Sequence, residues 1–506
     1  MINDVPLVIR PSARAILGLC WVSTACASAP GVPSPVSPRN PLAVLETAPL
    51  GGAQWSVIAV DITTGDTLLA RAPAQRMIPG SAIKLLTAVA ALDLLGPEFR
   101  WETGLWTTMP EDSMVTSDTV VAGDVVLTAS GDPTWSARFA GSVTAPVERV
   151  AAALESIRRV TGSLVVDASS WDSMSVRPSW MVEDLAQPAG APGGALALME
   201  GQTHVEVRAG VAPGDPVSVR WWPLGEDDFV RPRLVTAASG VQDVKATWLP
   251  ESRMLELTGV VPVGTVDTLE FATRDPVHEA AAALHRSIVE HGIVVDAGWR
   301  VAWDAGEPLG GGCVSGSMPM CTTSRRVKTL TSPPLLDVVE AMLGPSQNWI
   351  AEQIVRTVGH AHTNRAGWTE GLAAVRSHIT DLASIDSMDV RIADGSGLSV
   401  QNLVTARALV AVLTHARSRP WGGAFRAALA EPGEEGSTLE TRLAGLEGRL
   451  FAKTGTLTNV GTLAGYLVDQ AGREIAFAIL ANGSNLPGST VRGAIDGVVR
   501  VLAGSR

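Results

Sequence analysis

The sequence is poor in lysine. Of its 39 lysine and arginine residues only four are lysines, at positions 84, 245, 328 and 453, so arginine serves wherever any positive charge suffices. Arginine stays protonated at every ordinary pH, whereas a lysine desolvated by apolar neighbours can lose its proton and act as a base. Lys84 lies inside MIPGSAIKLLTAVAALDLLG (77–96), an apolar stretch where a permanent charge would be costly, so it marks a position that arginine could not fill. A basic run is also lacking, and the net charge is −12; both argue against nucleic acid as a partner. Beyond the N-terminus no segment reaches ~18 uninterrupted apolar residues, which excludes a later transmembrane helix. With 506 residues, 46% apolar and 18% charged, the chain is globular and long enough for two or three domains.

Cysteine is scarce too, at 20, 26, 313 and 321. The first two fall in AILGLCWVSTACASA, which follows Arg10 and Arg14 and has the apolar core and small-residue end of a secretory signal. Residues 1–27 are expected to be that signal, cut after Ala27, and 28–41 a proline-rich tether. Lipid attachment at Cys26 is the rival reading, with Ser23 a poor match to it. Either way the chain is expected to be exported, to a periplasm or cell-wall space. There Cys313 and Cys321, which flank VSGSMPM, are expected to form a local disulfide, with two free thiols as the alternative. Neither has a histidine near enough in sequence to suggest a metal site.

What is present divides the chain. QWSVIAVDITTGDTLLARAP reads as strand, turn and strand, and the apolar stretch around Lys84 as a helix stopped at Gly96-Pro97. GRLFAKTGTL, GTLAGYLVD and REIAFAILANG read as an antiparallel meander, followed by a last helix. Both ends of the chain therefore belong to one α/β unit, residues 42–105 and 272–506. Residues 106–271, rich in valine, threonine, glycine and proline, read as a β-rich insertion with one helix, PVERVAAALESIRRV; helical patterning returns at DPVHEAAAALHRSIVEHG.

Ser-x-x-Lys occurs once, at Ser81 and Lys84. Among eight asparagines only Asn348 has a serine two residues before it, Ser346, and Lys-Thr-Gly occurs once, at Lys453-Thr454-Gly455. Each pattern alone is weak; three single matches in this order, on the expected elements, are a strong signal. Positions i and i+3 share a helix face, so Lys84 can reach the Ser81 hydroxyl, and a helix N-terminus favours developing negative charge. Lys84, neutral through burial, would take the serine proton. Ser346 would relay it to a leaving amine, and Asn348 would hold a substrate amide. Lys453 would offer a fixed cation to a carboxylate, and Gly455, lacking Cβ, would let a peptide lie against the strand. The N–H groups of Ser81 and Thr456 would form an oxyanion hole.

These residues resemble the class C low-molecular-mass penicillin-binding proteins, the serine D-alanyl-D-alanine carboxypeptidase/endopeptidases. The likeness runs through SAIKLLTAVAALDLLGPEFRWET, GDVVLTASGDPTW, TSPPLLDVVEAMLGPSQNWIAEQIVRTVG, IADGSGLSVQNLVTARALVAVL and FAKTGTLTNVGTLAGYL. It implies a transpeptidase-like domain, an antiparallel sheet flanked by helices, split between Ser-x-x-Lys and Ser-x-Asn by two small β-rich domains. The 261 residues between Lys84 and Ser346 fit that plan and not a compact β-lactamase. The resemblance further implies peptidoglycan peptides ending in D-Ala-D-Ala as substrates, β-lactams as inhibitors, and no metal or organic cofactor. This chain has Pro79-Gly80-Ser81 where the family has Pro-Ala-Ser, an extra serine in EEGSTLETR, and no asparagine in ALALMEGQTHVEV. A β-lactamase or esterase on the same fold is the first alternative. A tyrosine base is disfavoured, since the only tyrosine, Tyr466, follows Lys-Thr-Gly. A non-catalytic wall-binding protein is the second.

Other features read more simply. Asp394-Gly395-Ser396-Gly397 is expected to be a capped glycine turn. His360 and His362 are expected at a helix end without a third ligand, and His278-Glu279 lacks the second histidine of a zinc-protease motif. Trp349 is expected to pack, and EPGEEGS to form an exposed loop.

Overall fold

The computed structural model describes residues 42–46, 49–109, 119–223, 230–249, 254–382 and 385–504. The expected signal and tether, with Cys20 and Cys26, lie outside the described residues.

Apolar alternation in the first and last strands builds a five-stranded antiparallel sheet. Its order is Thr67–Arg71, Gln54–Asp61, Glu474–Asn482, Val460–Val468, Leu450–Leu457. The chain's two ends meet here, Trp55 opposite Ala481 and Asp61 opposite Ile475. Side chains of a strand point to alternate faces, and Glu474–Asn482 uses both. Ala476, Ala478 and Leu480 join the core beneath the helices Lys84–Leu94, Asn348–Thr363 and Ala406–Ser418. Ile475, Phe477 and Ile479 pack on the other face under the C-terminal helix Gly488–Leu502. Alanines on the first face let the helix layer approach the sheet closely.

A second five-stranded sheet, ordered Trp299–Ala302, Leu164–Asp167, Val125–Thr128, Glu102–Thr108 and Ser324–Thr331, forms a middle unit. The helices Ala145–Ala153 and Pro276–Glu290 cover it. Inside this unit is nested a third, made of two three-stranded sheets from residues 202–272, with its own small core around Val205, Leu255 and Leu257.

The partition differs from the expected boundary at 272. Strands 299–302 and 324–331 pair within the middle unit, and Val277, Ala280, Leu284 and Ile288 share a core with Leu127, Leu164 and Val166. Helical periodicity at 276 marked a helix of the insertion, because an amphipathic pattern does not say which sheet its apolar face will meet. Likewise the expected helix from Pro146 ends at Ala153, and Arg159-Val160 form a strand. Cys313 and Cys321 are joined by a disulfide beside the middle sheet.

Candidate active site

Ser81 lies in a short 3-10 turn, Gly80–Ile83, that runs into the helix Lys84–Leu94. The turn is held from three sides. Asn482, at the end of its strand, accepts from Ile78 N–H at 2.7 Å and donates to Ile78 O at 3.0 Å. A Cβ on Gly397 would sit 2.0 Å from Gly80 O, and one on Gly455 2.2 Å from Pro79 O. The missing Cβ of Gly455 therefore admits the nucleophile turn, a use that the sequence reading did not assign to it. Gly80 itself has φ +53 and lies against Gly455 and Thr456; its freedom serves a tight turn there.

Lys84 is fully buried, and its Nζ donates to Ser81 Oγ at 2.9 Å, Asn348 Oδ1 at 2.6 Å and Ser396 O at 2.7 Å. Burial lowers its pKa to about 7, while the negative charges of Asp394 and Glu352 pull the other way. Lys453, equally buried, donates to Ser346 Oγ at 2.8 Å and Thr454 O at 2.9 Å. Burial, and then the charge of Lys84, push its pKa well down. The cation that the sequence reading assigned to a substrate carboxylate is thus held below the surface, without a counter-charge among its bonded partners. Ser346 has φ +68, a left-handed conformation uncommon for serine. These bonds join the five expected catalytic side chains as a trio, Ser81, Lys84 and Asn348, and a pair, Ser346 and Lys453.

Thr456 is exposed on the outermost strand of the sheet. Ala452 N–H on that strand bonds outward, to Ala430 O at 2.9 Å. Backbone groups alternate sides along a strand, so Thr454 and Thr456 point the same way, out of the sheet and toward the Ser81 turn. Thr456 N lies 3.0 Å from the Cβ position of Gly80. With Ser81 N–H, in the first turn of its helix where donors lack intrahelical partners, this makes a two-donor cradle beside the serine.

Sequence reasoning missed Glu352. It lies four residues after Asn348, on the same helix face, and that spacing was legible. Its carboxylate accepts from Ser396 N at 2.8 Å, Gly395 N at 3.1 Å and Trp368 Nε1 at 2.7 Å. Burial and the charge of Asp394 raise its pKa to about 7. Asp394 caps its turn, accepting from Gly397 N, Ser399 N and Asn402 Nδ2, and the same turn presents Ser396 O to Lys84. Trp349 is core, its indole donating to Pro192 O. Of the described residues, Asp93, His378 and His415 could converge on a metal. The Asp93 carboxylate already meets both imidazoles, at 2.9 and 2.7 Å, and Arg419 at 2.9 Å. It lies about 14 Å along the helix from Lys84.

The profile of the D-Ala-D-Ala carboxypeptidase 3 (S13) family matches residues 42–503. A D-alanyl-D-alanine carboxypeptidase of Actinomadura sp. (strain R39) is 31% identical over 459 residues, covering 88% of this chain and 80% of the relative. The D-alanyl-D-alanine carboxypeptidase DacB of Haemophilus influenzae is 24% identical over 438 residues, covering 80% and 81%. Among solved structures, penicillin-binding protein 4 of Haemophilus influenzae superposes with a TM-score of 0.76 at 22% identity, over 92% of this chain and 98% of that one. Its complex with a β-lactam gives 0.71 at 22% identity, with the same coverage.

Proposed function

The chain belongs to the D-Ala-D-Ala carboxypeptidase 3 (S13) family, and on that premise we propose that it is a serine carboxypeptidase/endopeptidase of peptidoglycan stem peptides, acylated at Ser81. The observation that carries the residue roles is the Lys84 Nζ–Ser81 Oγ contact of 2.9 Å at a lysine whose burial brings its pKa to about 7. Lys84 takes the Ser81 proton as Oγ attacks the carbonyl of the penultimate D-alanine. The tetrahedral oxyanion sits between the N–H groups of Ser81 and Thr456, each such donor being worth about 3 kcal/mol. Ser346 gives its proton to the leaving nitrogen and is reprotonated from the Lys84 ammonium, so the proton taken from Ser81 is passed on to the amine and Lys84 is neutral again. Lys453, 2.8 Å from Ser346, orients that hydroxyl and, as the ammonium, attracts the substrate carboxylate, alongside Thr454. Water then attacks the ester, with Lys84 again as base. Free D-alanine as leaving group makes this a carboxypeptidase reaction; a cross-linked strand makes it an endopeptidase reaction. A β-lactam acylates the same serine, its ring nitrogen staying tethered.

Incubation with a fluorescent penicillin tests this reading. Covalent label on the wild type, none on Ser81→Ala, and D-alanine released from a muropeptide without β-lactam turnover are the expected results. An unlabelled wild type would sink the enzymatic reading, and label persisting in Ser81→Ala would sink the residue assignment. Export to a periplasm or wall space belongs to the same proposal; it rests on the sequence of residues 10–27 and on the disulfide. The intact mass of the secreted protein reports signal cleavage after Ala27 or lipid at Cys26.

A further inference from the structure

The middle residue of Ser346-Gln347-Asn348 is bound to a part of the chain that the mechanism above does not use. Gln347 caps its helix, its side-chain carbonyl accepting from Trp349 N at 3.1 Å while its backbone N–H donates to Met342 O at 2.9 Å. Its Nε2 donates to Oε2 of Glu200, 147 positions away in the middle unit. Glu200 is 6% exposed. Its Oε1 also accepts from Ser136 Oγ at 3.2 Å and Arg138 Nε at 2.6 Å, and its Oε2 from Arg138 Nη2 at 3.1 Å, a bidentate charged pair.

The backbone that delivers this carboxylate is strained. Met199, Glu200 and Gly201 have φ of 53, 60 and 68°. Left-handed conformations at consecutive non-glycine residues persist only where the surroundings over-determine them, and they concentrate at functional sites. The motif helix is one of those surroundings: a Cβ on Gly201 would lie 2.7 Å from Trp349 Nε1, and as close to Pro192 O. Nearby, Asn348 Nδ2 donates to Ala189 O at 2.9 Å.

We propose that Glu200, locked by Arg138, is a positioning residue for leaving-group protonation. It fixes Gln347, and through Gln347 the left-handed Ser346, so that Ser346 Oγ meets Lys453 on one side and the leaving nitrogen on the other. The middle unit thereby completes the relay of the catalytic unit. This rests on the reading of Ser346 as the proton relay.

Two substrates sharing one acyl group separate positioning from general stability: a peptide amide, whose nitrogen must be protonated to leave, and a thiolester, whose sulfur leaves without a proton. In Glu200→Gln, kcat/KM for the amide falls about tenfold or more, since general acid help is worth 10² or more, and that for the thiolester changes less than about twofold. Arg138→Met, which removes a half-exposed side chain, shifts the same ratio in the same direction and reads it even if Glu200→Gln does not fold. Equal losses on both substrates, or a ratio that neither variant changes, overturn the positioning role and, with a wild type that penicillin labels, leave the enzyme reading standing. A wild type that neither cleaves the amide nor binds penicillin overturns the enzyme reading, and this role with it.

Discussion

Lys84 and Lys453 are both at zero exposure, and their bonds run to hydroxyls, an amide oxygen and backbone carbonyls, with no carboxylate among them. Burial disfavours the ammonium form of each, but the two differ in what opposes it. Asp394 and Glu352 hold charge on Lys84, whereas Lys453 has the charge of Lys84 against it. The base must be neutral to act, so the rate of acylation by penicillin should climb about tenfold per pH unit at acid pH and level off above about 7. Lys84→Arg keeps a cation but cannot lose its proton, and should abolish acylation. In Glu352→Gln one of the charges that retains the proton is gone, and the acid limb should move to lower pH. An unmoved limb would show that Glu352 does not couple to the base. Lys453 behaves in the opposite sense on binding. A substrate carboxylate supplies the counter-charge it lacks, so titration calorimetry in two buffers of different ionisation heat should show proton uptake, absent in Lys453→Ala.

The elements explain why some of this could be read from sequence and some could not. Ser-x-x-Lys was legible because i and i+3 lie on one helix face whatever the tertiary structure, and Lys-Thr-Gly because its strand is continuous and apolar. Glu352 was legible by the same helical spacing and was overlooked. The role of Gly455 was not, since only the fold brings Pro79 O against that strand. Asn482, 404 residues from Ile78, carried no sequence signal at all. Gly455→Ala should force the strand off the nucleophile turn. It should cost about 1–3 kcal/mol as an overpacked contact and lower acylation far more than the melting temperature. A variant that acylates normally would show the turn to be more compliant than its contacts suggest. The helix expected from Pro146 was overextended for a related reason: Arg159-Val160 continue a helical pattern but are claimed by a strand pairing with Val120-Val121 and Val294-Val295.

The whole molecule is three units nested in one another, each with its own core. The innermost leaves and returns through one pair of register partners, Gln202 and Ala272. Replacing 203–271 with a tight turn should therefore give a protein that folds and is acylated by penicillin within about twofold of the wild-type rate, since the Glu200 clasp and the catalytic sheet lie outside the excised part. Loss of acylation would show that the outer units lean on the innermost one. The outermost unit is the opposite case. Strand Glu474–Asn482 fills the centre of its sheet, between the first strand of the chain and the strand after Lys-Thr-Gly, and Asn482 holds the loop that leads to Ser81. The consequence concerns timing. A ribosome that has delivered Ser81, Lys84, Ser346, Asn348 and Lys453 has still not delivered an enzyme; the growing chain stays chemically silent until its last strand arrives. A chain stopped at Asp469 should keep every reactive side chain and acylate nothing.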